Sequence, residues 1–242
     1  MNEQNCERLA QMLRSARRAV FFGGAGVSTE SGIPDFRSTD GLYHQQWKYP
    51  PETILSHDFV QYRTEEFFDF YRKKLLFPNA RPNPAHIALA QLEQRGVLTA
   101  VITQNIDGLH QAAGSKHVIE LHGSVLRNYC SRCNRPYALD DIIKGKGVPR
   151  CACGGVIKPD VVLYGDQLPE GAIEDAIAAI SLSDLLIIGG TSLAVYPAAG
   201  FVQGYDGKLV IINRSPTHLD RQADLLINAP IGETLAEVMK IL

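Results

Sequence analysis

Short apolar segments alternate with segments of helical periodicity along most of this chain, and this alternation restricts the possible fold more than any other feature. The predicted strands cover residues 19–22, 98–103, 118–121, 185–188, 208–212 and 225–227. The predicted helices cover residues 3–18, 64–76, 84–92, 170–181, 197–203 and 233–242. Such alternation is typical of α/β proteins, so we predict a doubly wound, Rossmann-like parallel sheet with helices on both faces.

Two stretches interrupt this rhythm. Residues 38–79 contain the breaker Pro50-Pro51 and a helical pattern with no strand, and residues 124–159 contain clustered cysteines and turn residues. We therefore expect a Rossmann-like domain built from residues 1–37, 80–123 and 160–242. A helical insertion would cover 38–79 and a small zinc-binding module 124–159.

Four of the five cysteines form two close pairs, which predicts a metal site. Cys130 and Cys133 are separated by two residues, and Cys151 and Cys153 by one. Four thiolates suit one tetrahedral Zn²⁺ ion with no open position, which is a structural rather than a catalytic site. A redox dithiol and unmetallated cysteines remain open alternatives. The fifth cysteine, Cys6, has no predicted role.

The charge balance gives no general reason to expect nucleic acid or a membrane as a partner. Lys and Arg total 24, Asp and Glu total 26, and the formal net charge is −2. No stretch approaches the ~20 apolar residues that span a bilayer. Residues 1–18 lack the apolar core of a secretory signal, so we expect a soluble, cytoplasmic protein.

A glycine turn directly follows the first predicted strand. Gly24 and Gly26 permit close backbone approach, and a following helix N-terminus would offer N–H groups to a phosphate. The usual dehydrogenase fingerprint is incomplete, because Thr29 replaces the third glycine and His44 stands where an acidic ribose ligand is expected. The residues alone leave phosphate binding and a plain tight turn equally open.

Polar residues also follow two other predicted strands. The run 104–107, Gln-Asn-Ile-Asp, comes after strand 98–103, and His122 comes after strand 118–121. Ligand sites of open α/β sheets lie beyond the carboxyl ends of strands, and imidazole can exchange a proton near neutral pH. The alternatives are a turn that caps the next helix and a structural histidine.

Taken together, these motifs resemble the signatures of the sirtuin family. Residues 24–28 (GAGVS) and 32–37 (GIPDFR) resemble the first signature, 104–107 the second, and His122-Gly123 the catalytic histidine motif. Residues 190–193 (GTSL), Asn213 and the paired cysteines also agree. The resemblance extends in order from about residue 20 to 213, and it implies a minimal, bacterial-type NAD-dependent protein lysine deacylase.

The resemblance implies a role for each motif. His122 would be the general base, with Asn105 placing the ribose and a water, and Phe36 shielding the reactive carbon. NAD, as co-substrate, would accept the acyl group on its ADP-ribose part and release nicotinamide. The residues expected to contact NAD are Gly24, Ala25, Gly26, Thr29, Phe36, Arg37, Gln104, Asn105, Ile106, Asp107, His122, Gly190, Thr191, Ser192, Asn213 and Ile231.

The substrate implied by the resemblance is an acetylated lysine of a protein or peptide. Val162, Tyr164 and Gly165 would bind it, with the peptide backbone pairing as an added strand. Family members often carry Phe at the position of Tyr164. The desuccinylase branch carries a Tyr-x-x-Arg pair, and alignment by the aromatic run puts Asp69 and Arg72 there. We therefore expect Asp69 to repel succinyl tails and the enzyme to prefer neutral acyl groups.

Three other functions remain open from the residues. The first is ADP-ribosyl transfer to protein within the same family, and the second is an NAD-dependent oxidoreductase. The third is a zinc-ribbon protein that binds nucleic acid, which the near-neutral charge disfavours. We expect a monomer.

Overall fold

The computed structural model describes residues 2–242. The strands are β1 (Ala19–Gly23), β2 (Leu98–Thr103), β3 (Val118–Glu120), β4 (Gly123–Cys130), β5 (Pro136–Ala138), β6 (Ile157–Val161), β7 (Leu185–Gly189), β8 (Lys208–Ile212) and β9 (Leu225–Ile227). The helices are α1 (Glu3–Ser15), α2 (Pro51–Ile54), α3 (His57–Tyr62), α4 (Thr64–Lys74), α5 (Pro84–Gln94), α6 (Leu109–Ala113), α7 (Leu139–Ile143), α8 (Glu170–Ser181) and α9 (Ile231–Ile241).

Six strands form one parallel sheet in the order β3-β2-β1-β7-β8-β9. Its central strands are buried on both faces, and alternate residues point to opposite faces. Phe21 packs in a core with α1, α5 and α9, whereas Phe22 packs in a second core with α8. The doubly wound, Rossmann-like fold is therefore confirmed.

The order of the strands reverses at β1. From β1 the chain proceeds through β2 to β3 on one side of the sheet, and later from β7 to β9 on the other. Gly23, the last residue of β1, is in register with Thr103 of β2 and Gly189 of β7. The loops that leave these three strands consequently start side by side, where open α/β sheets bind their ligands.

The stretches that interrupt the strand–helix rhythm form two further units. Helices α2 to α4 make up the helical unit, and β5-β4-β6 form a small antiparallel sheet with α7 beside it. The two units share a third apolar core, in which Phe67 and Tyr71 meet Ile142 and Ile157. Arg72 joins them further, because its Nε donates a 2.8 Å hydrogen bond to the carbonyl oxygen of Ile142.

Several element boundaries differ from the sequence prediction for identifiable reasons. Helix α1 ends at Ser15 instead of residue 18, since the backbone N–H groups of Arg17 and Arg18 donate to the carboxylate of Asp184. Pro51 begins α2 rather than breaking a helix, because a first-turn residue needs no N–H donor. The predicted helix at 197–203 is a 3₁₀ helix over residues 198–202.

The predicted domain limits remain predictions, and β6 runs across the one placed between residues 159 and 160. Within residues 2–242, no helix has the length and apolar character needed to cross a membrane.

Candidate active site

A cavity of about 1270 Å³ lies beyond the carboxyl ends of β1, β2 and β7. Residues of the large sheet, the helical unit and the small sheet line it together. All of the residues that the sequence predicts to contact NAD, to catalyse or to bind the substrate lie in its wall. The structure thus brings them together in one place, while their individual roles remain predictions.

The glycine turn packs directly against the loop that follows β7. A Cβ atom on Gly26 would lie 2.8 Å from Cα of Gly190, and one on Gly24 would lie 2.9 Å from Cβ of Thr191. The Gly26 N–H donates to the Gly190 carbonyl oxygen at 2.8 Å. Glycine is required here because two backbones meet, whatever ligand binds.

The turn does not lead into an α-helix, so the expectation of a helix N-terminus at the phosphate site was wrong. Two 3₁₀ turns follow instead, over residues 25–27 and 29–31. The Thr29 hydroxyl donates to the Gly26 carbonyl oxygen at 3.0 Å and stabilises this tight path. The chain then continues into the loop of residues 33–45 along the cavity wall.

His122 lies between β3 and β4, and its ring forms a hydrogen bond with one backbone carbonyl group. Its Nδ1 is 2.9 Å from the carbonyl oxygen of Gln104. A carbonyl oxygen only accepts hydrogen bonds, so the neutral ring carries its proton on Nδ1 and leaves Nε2 unprotonated. Burial lowers the pKa of His122 below its usual value, which favours this neutral form.

Asn105 and Asp107 are linked through Ser28, a residue with no predicted role. The Ser28 hydroxyl donates to Asp107 Oδ2 at 2.6 Å and accepts a hydrogen bond from Asn105 Nδ2 at 3.0 Å. Burial raises the pKa of Asp107. The only sequence signal for Ser28 was its place at the end of the 24–28 motif, which says nothing about its partners.

Thr191 connects the residues that follow β2, β7 and β8. Its hydroxyl accepts a hydrogen bond from Gln104 Nε2 at 3.1 Å. The side-chain amide of Asn213 bonds the backbone of Thr191 on both sides: Oδ1 accepts from its N–H at 3.1 Å, and Nδ2 donates to its carbonyl oxygen at 2.7 Å. These bonds fix the relative positions of the loops that follow β2, β7 and β8.

The loop of residues 33–45 is folded back on itself. The Asp35 carboxylate accepts hydrogen bonds from the backbone N–H groups of Arg37 and Ser38. Tyr43 packs edge-on against Phe36, with 5.8 Å between ring centroids, and the Arg37 guanidinium lies over the Tyr43 ring.

The predicted substrate segment crosses the cavity between His122 and the helical unit. The Val162 N–H donates to the carbonyl oxygen of His122 at 3.0 Å. Tyr164 pairs with the other side: its N–H donates to the Leu55 carbonyl oxygen, and its own carbonyl oxygen accepts from the His57 N–H. The Tyr164 hydroxyl also hydrogen-bonds to that of Tyr43, so it joins this segment to the loop of residues 33–45.

The proposed reason for disfavouring succinyl groups was wrong. Asp69 is about half exposed and pairs with Lys73 at 2.6 Å, on the outer face of α4. Arg72 points to the Ile142 carbonyl oxygen. Neither residue lines the cavity, so neither can contact an acyl group there.

The four predicted metal ligands lie together in the small unit. The Sγ atoms of Cys130, Cys133, Cys151 and Cys153 are all within 4.8 Å of one another. Gly154 adopts a φ of +85°, and a Cβ atom on Gly155 would lie 2.6 Å from Cys130 Sγ. Glycine at these positions allows the tight second knuckle. Four converging sulfur atoms are the donor set of a structural Zn²⁺ site, so the residues fit one zinc ion.

The fold and the cavity define a dinucleotide-using enzyme with a structural metal module. A family model described as "Sir2 family" matches residues 24–197. This match covers well over half of the chain, and the protein belongs to the Sir2 family.

Similar proteins agree with this assignment over nearly their whole length. An NAD-dependent protein deacetylase of Clostridium perfringens is 55% identical over 98% of this chain and 99% of its own. One from Clostridium tetani is 54% identical over 97% of each chain. A solved structure of Sir2 with a p53 peptide and NAD⁺ has a TM-score of 0.87 at 42% identity, and covers 97% of both chains. Sir2 bound to an acetylated peptide also has a TM-score of 0.87, at 41% identity.

Proposed function

We propose that this protein is an NAD-dependent protein-lysine deacetylase, which transfers the acetyl group from lysine to ADP-ribose and releases nicotinamide. The observation that carries the proposal is that a histidine with an unprotonated Nε2 shares one cavity with the glycine turn and the Asn105–Asp107 turn. The full-length similarity to proteins named NAD-dependent protein deacetylases supports it.

NAD, when bound, supplies an electrophilic ribose carbon, which the acyl oxygen of acetyl-lysine would attack as nicotinamide leaves, and a ribose hydroxyl that would accept the acyl group; one water molecule is consumed as the lysine amine is released. His122 is the general base in this proposal: its Nε2 takes the proton of a ribose hydroxyl, and its Nδ1–H stays bonded to the Gln104 carbonyl oxygen. Because burial keeps the ring neutral, the base is available at neutral pH.

The residues near His122 would orient the nicotinamide end of the co-substrate. Asp107 accepts a hydrogen bond from the carboxamide, Asn105 places the ribose and a water, and Ile106 lines the pocket. Phe36, which lies in the cavity wall on the loop of residues 33–45, would shield the reacting carbon from water. Gln104 contacts the ribose of the same end.

The other end of the cavity would hold the phosphates and the adenosine. Arg37 suits a pyrophosphate because a guanidinium can donate two parallel hydrogen bonds to it. The backbone of the glycine turn and the Thr29 hydroxyl approach the same phosphates. The adenosine side comprises Gly190, Thr191, Ser192, Asn213 and Ile231.

An acetylated lysine of a protein or peptide is the second substrate. It enters along Val162, Tyr164 and Gly165, with the acetyl group directed to the apolar wall that includes Val162. The zinc ion held by the cysteines is structural, since four protein ligands leave no open position for a reactant. We further propose that the protein is cytoplasmic, because paired zinc-type cysteines suit a reducing compartment. We also propose that it is a monomer.

Mass spectrometry of an acetyl-lysine peptide incubated with NAD tests this function. We expect unmodified peptide, nicotinamide and acetyl-ADP-ribose to form together in equal amounts. Peptide that gains ADP-ribose would instead indicate ADP-ribosyl transfer. Reduced cofactor, seen by its absorbance, would indicate an oxidoreductase and would contradict the proposal.

A further inference from the structure

Two buried histidines lie behind the cavity wall and have no part in the chemistry above. His86 belongs to α5 and His110 to α6, and both side chains are shielded from solvent. Their rings meet edge to face, with 4.7 Å between centroids. Neither residue lines the cavity.

The hydrogen bonds of His86 determine which of its nitrogens carries the proton. The backbone N–H of Asn83 donates to Nδ1 of His86 at 3.3 Å, as part of the capping box at the start of α5. Nδ1 is therefore an acceptor, and the neutral ring is protonated on Nε2. Burial lowers the pKa of His86 to about 4, so the ring is neutral at neutral pH.

The protonated Nε2 of His86 points to Ser28. It lies 3.5 Å from Ser28 Oγ, at the long end of the hydrogen-bond range. Ser28 Oγ also accepts from Asn105 Nδ2 and donates to Asp107 Oδ2. With two donors approaching its oxygen, the hydroxyl has one direction left for its own hydrogen, and that direction is the Asp107 carboxylate.

Asn83 holds the same part of the chain from the other side. Its Nδ2 donates to the carbonyl oxygen of Val27 at 2.7 Å and to the Ser31 hydroxyl at 3.0 Å. Asn83 therefore binds the chain on both sides of Ser28, while His86 contacts the Ser28 hydroxyl itself.

We propose that His86 is a positioning residue, which fixes the Ser28 hydroxyl and, through it, the Asp107 and Asn105 side chains that receive the nicotinamide end of NAD. This inference rests on the proposed function. It makes the reactive end of the site depend on a donor that never touches the substrate, and it assigns no such role to His110, whose ring nitrogens have no hydrogen-bond partner within residues 2–242.

The substitutions His86→Gln and His86→Met separate the hydrogen bonds from the packing. Glutamine can accept from Asn83 N–H with its oxygen and donate to Ser28 with its nitrogen, whereas methionine has similar length and neither bond. We expect His86→Met to raise the KM for NAD and the inhibition constant of nicotinamide by about threefold to tenfold. His86→Gln should stay within about twofold of the wild type, and the KM for the acetyl peptide should not change in either variant.

His110→Met is the matched control, since it removes the other ring of the pair without removing a protein hydrogen bond. Its nicotinamide inhibition constant should match the wild type. The double variant His86→Met with Ser28→Ala tests the route: in the Ser28→Ala background the His86 change should have no further effect on nicotinamide inhibition. Additive effects, or equal effects of His86→Met and His110→Met, would overturn the inference.

A measurement on the unaltered protein covers the case in which His86→Met fails to fold. Long-range ¹H–¹⁵N NMR correlations distinguish the two neutral histidine tautomers. His86 should be protonated on Nε2, and its Nε2 signal should shift when nicotinamide is added. A proton on Nδ1, or an unmoved signal under saturating nicotinamide, would refute the role. A wild type that binds no nicotinamide and deacetylates no peptide would instead count against the proposed function.

Discussion

Nδ1 of His122 lies 2.9 Å from the carbonyl oxygen of Gln104, the first residue after β2. This one contact connects the strand end that carries Asn105 and Asp107 to the proposed general base. It also determines the chemistry available to the ring, because the carbonyl oxygen keeps the proton on Nδ1 and leaves the Nε2 lone pair free.

The pH dependence of activity should reflect the burial of His122. Burial disfavours the imidazolium, so the pKa of His122 lies below its ordinary value of 6.5. The base should remain active as the pH falls to 6.5 and be lost only below it. We expect kcat/KM to fall on the acid side with an apparent pKa below 6.5, in a titration monitored by nicotinamide release. Half-maximal activity above that value would contradict this assignment.

Removal of the metal should disable the active site at a distance. Strand β4 runs from Gly123, beside His122, to Cys130, and β6 ends at Val161, beside Val162. The free energy of zinc binding to such modules is on the order of 10 kcal/mol, and it is available only to the folded module. A strong chelator, or Cys133→Ser, should therefore release one zinc per chain and abolish deacetylation.

Cys6→Ala is the control for the metal experiment. Cys6 belongs to α1 and is buried in the core that this helix shares with the large sheet, away from the cluster. This variant should retain one zinc per chain by atomic absorption and keep its activity. Full activity of a zinc-free protein would show that the module does not support the site.

The tyrosine pair across the cavity should contribute to substrate binding. Tyr43 and Tyr164 share a hydroxyl hydrogen bond that joins the loop of residues 33–45 to the substrate segment. A typical hydrogen bond contributes about 1 kcal/mol. Tyr43→Phe and Tyr164→Phe should therefore each raise the KM for the acetyl peptide by about two- to fivefold. The double variant should be no worse than either single one. Tyr62→Phe, on an exposed ring, should leave the KM values unchanged; additive effects of the first two changes would refute the coupling.

Acid should weaken the fold through the buried histidine pair. Burial lowers the pKa of His86 to about 4 and that of His110 to about 3, from an unfolded value near 6.5. Their contribution to stability is complete above pH 6.5 and decreases as the pH falls, because only the unfolded chain binds these protons in that range. Each histidine should therefore lower the free energy of unfolding by about 1.4 kcal/mol for each pH unit below 6.5, until its own folded pKa is reached.

Urea unfolding of His110→Met and wild type at several pH values tests this linkage. Between pH 6.5 and about pH 4, the variant should lose stability less steeply, by about 1.4 kcal/mol per pH unit. Identical slopes for His110→Met and wild type would show that His110 takes up its proton at the same pH in the folded and the unfolded chain.

The sequence was informative where the pattern is local. Strand periodicity placed β2, β8 and β9 at their observed limits, and the Asn83-Pro84 pair marked the start of α5. The motif residues that follow strand ends were gathered by the topology of the sheet itself. The sequence therefore identifies many residues of the cavity wall, but not the shape of the cavity.

Long-range contacts were beyond local pattern. The bond from Ser28 to Asp107 joins residues 79 positions apart, and nothing near either one specifies the other. The orientation of α4 was also ambiguous, because Phe67, Phe68, Phe70 and Tyr71 are all buried and surround most of the helix. An aromatic run of this kind does not tell which neighbouring residue faces the cavity, and Asp69 was misplaced for that reason.

The most direct test of the proposed mechanism compares His122→Ala with His117→Ala by the rate of acetyl-ADP-ribose formation. His117 also bonds a backbone carbonyl oxygen through Nδ1, that of Thr99 at 2.8 Å, but it lies on the surface outside the cavity. If His122 is the general base, its removal should lower kcat by about a hundredfold or more with an unchanged melting temperature, and His117→Ala should match the wild type. A folded His122→Ala enzyme that forms acetyl-ADP-ribose at the wild-type rate would contradict the mechanism.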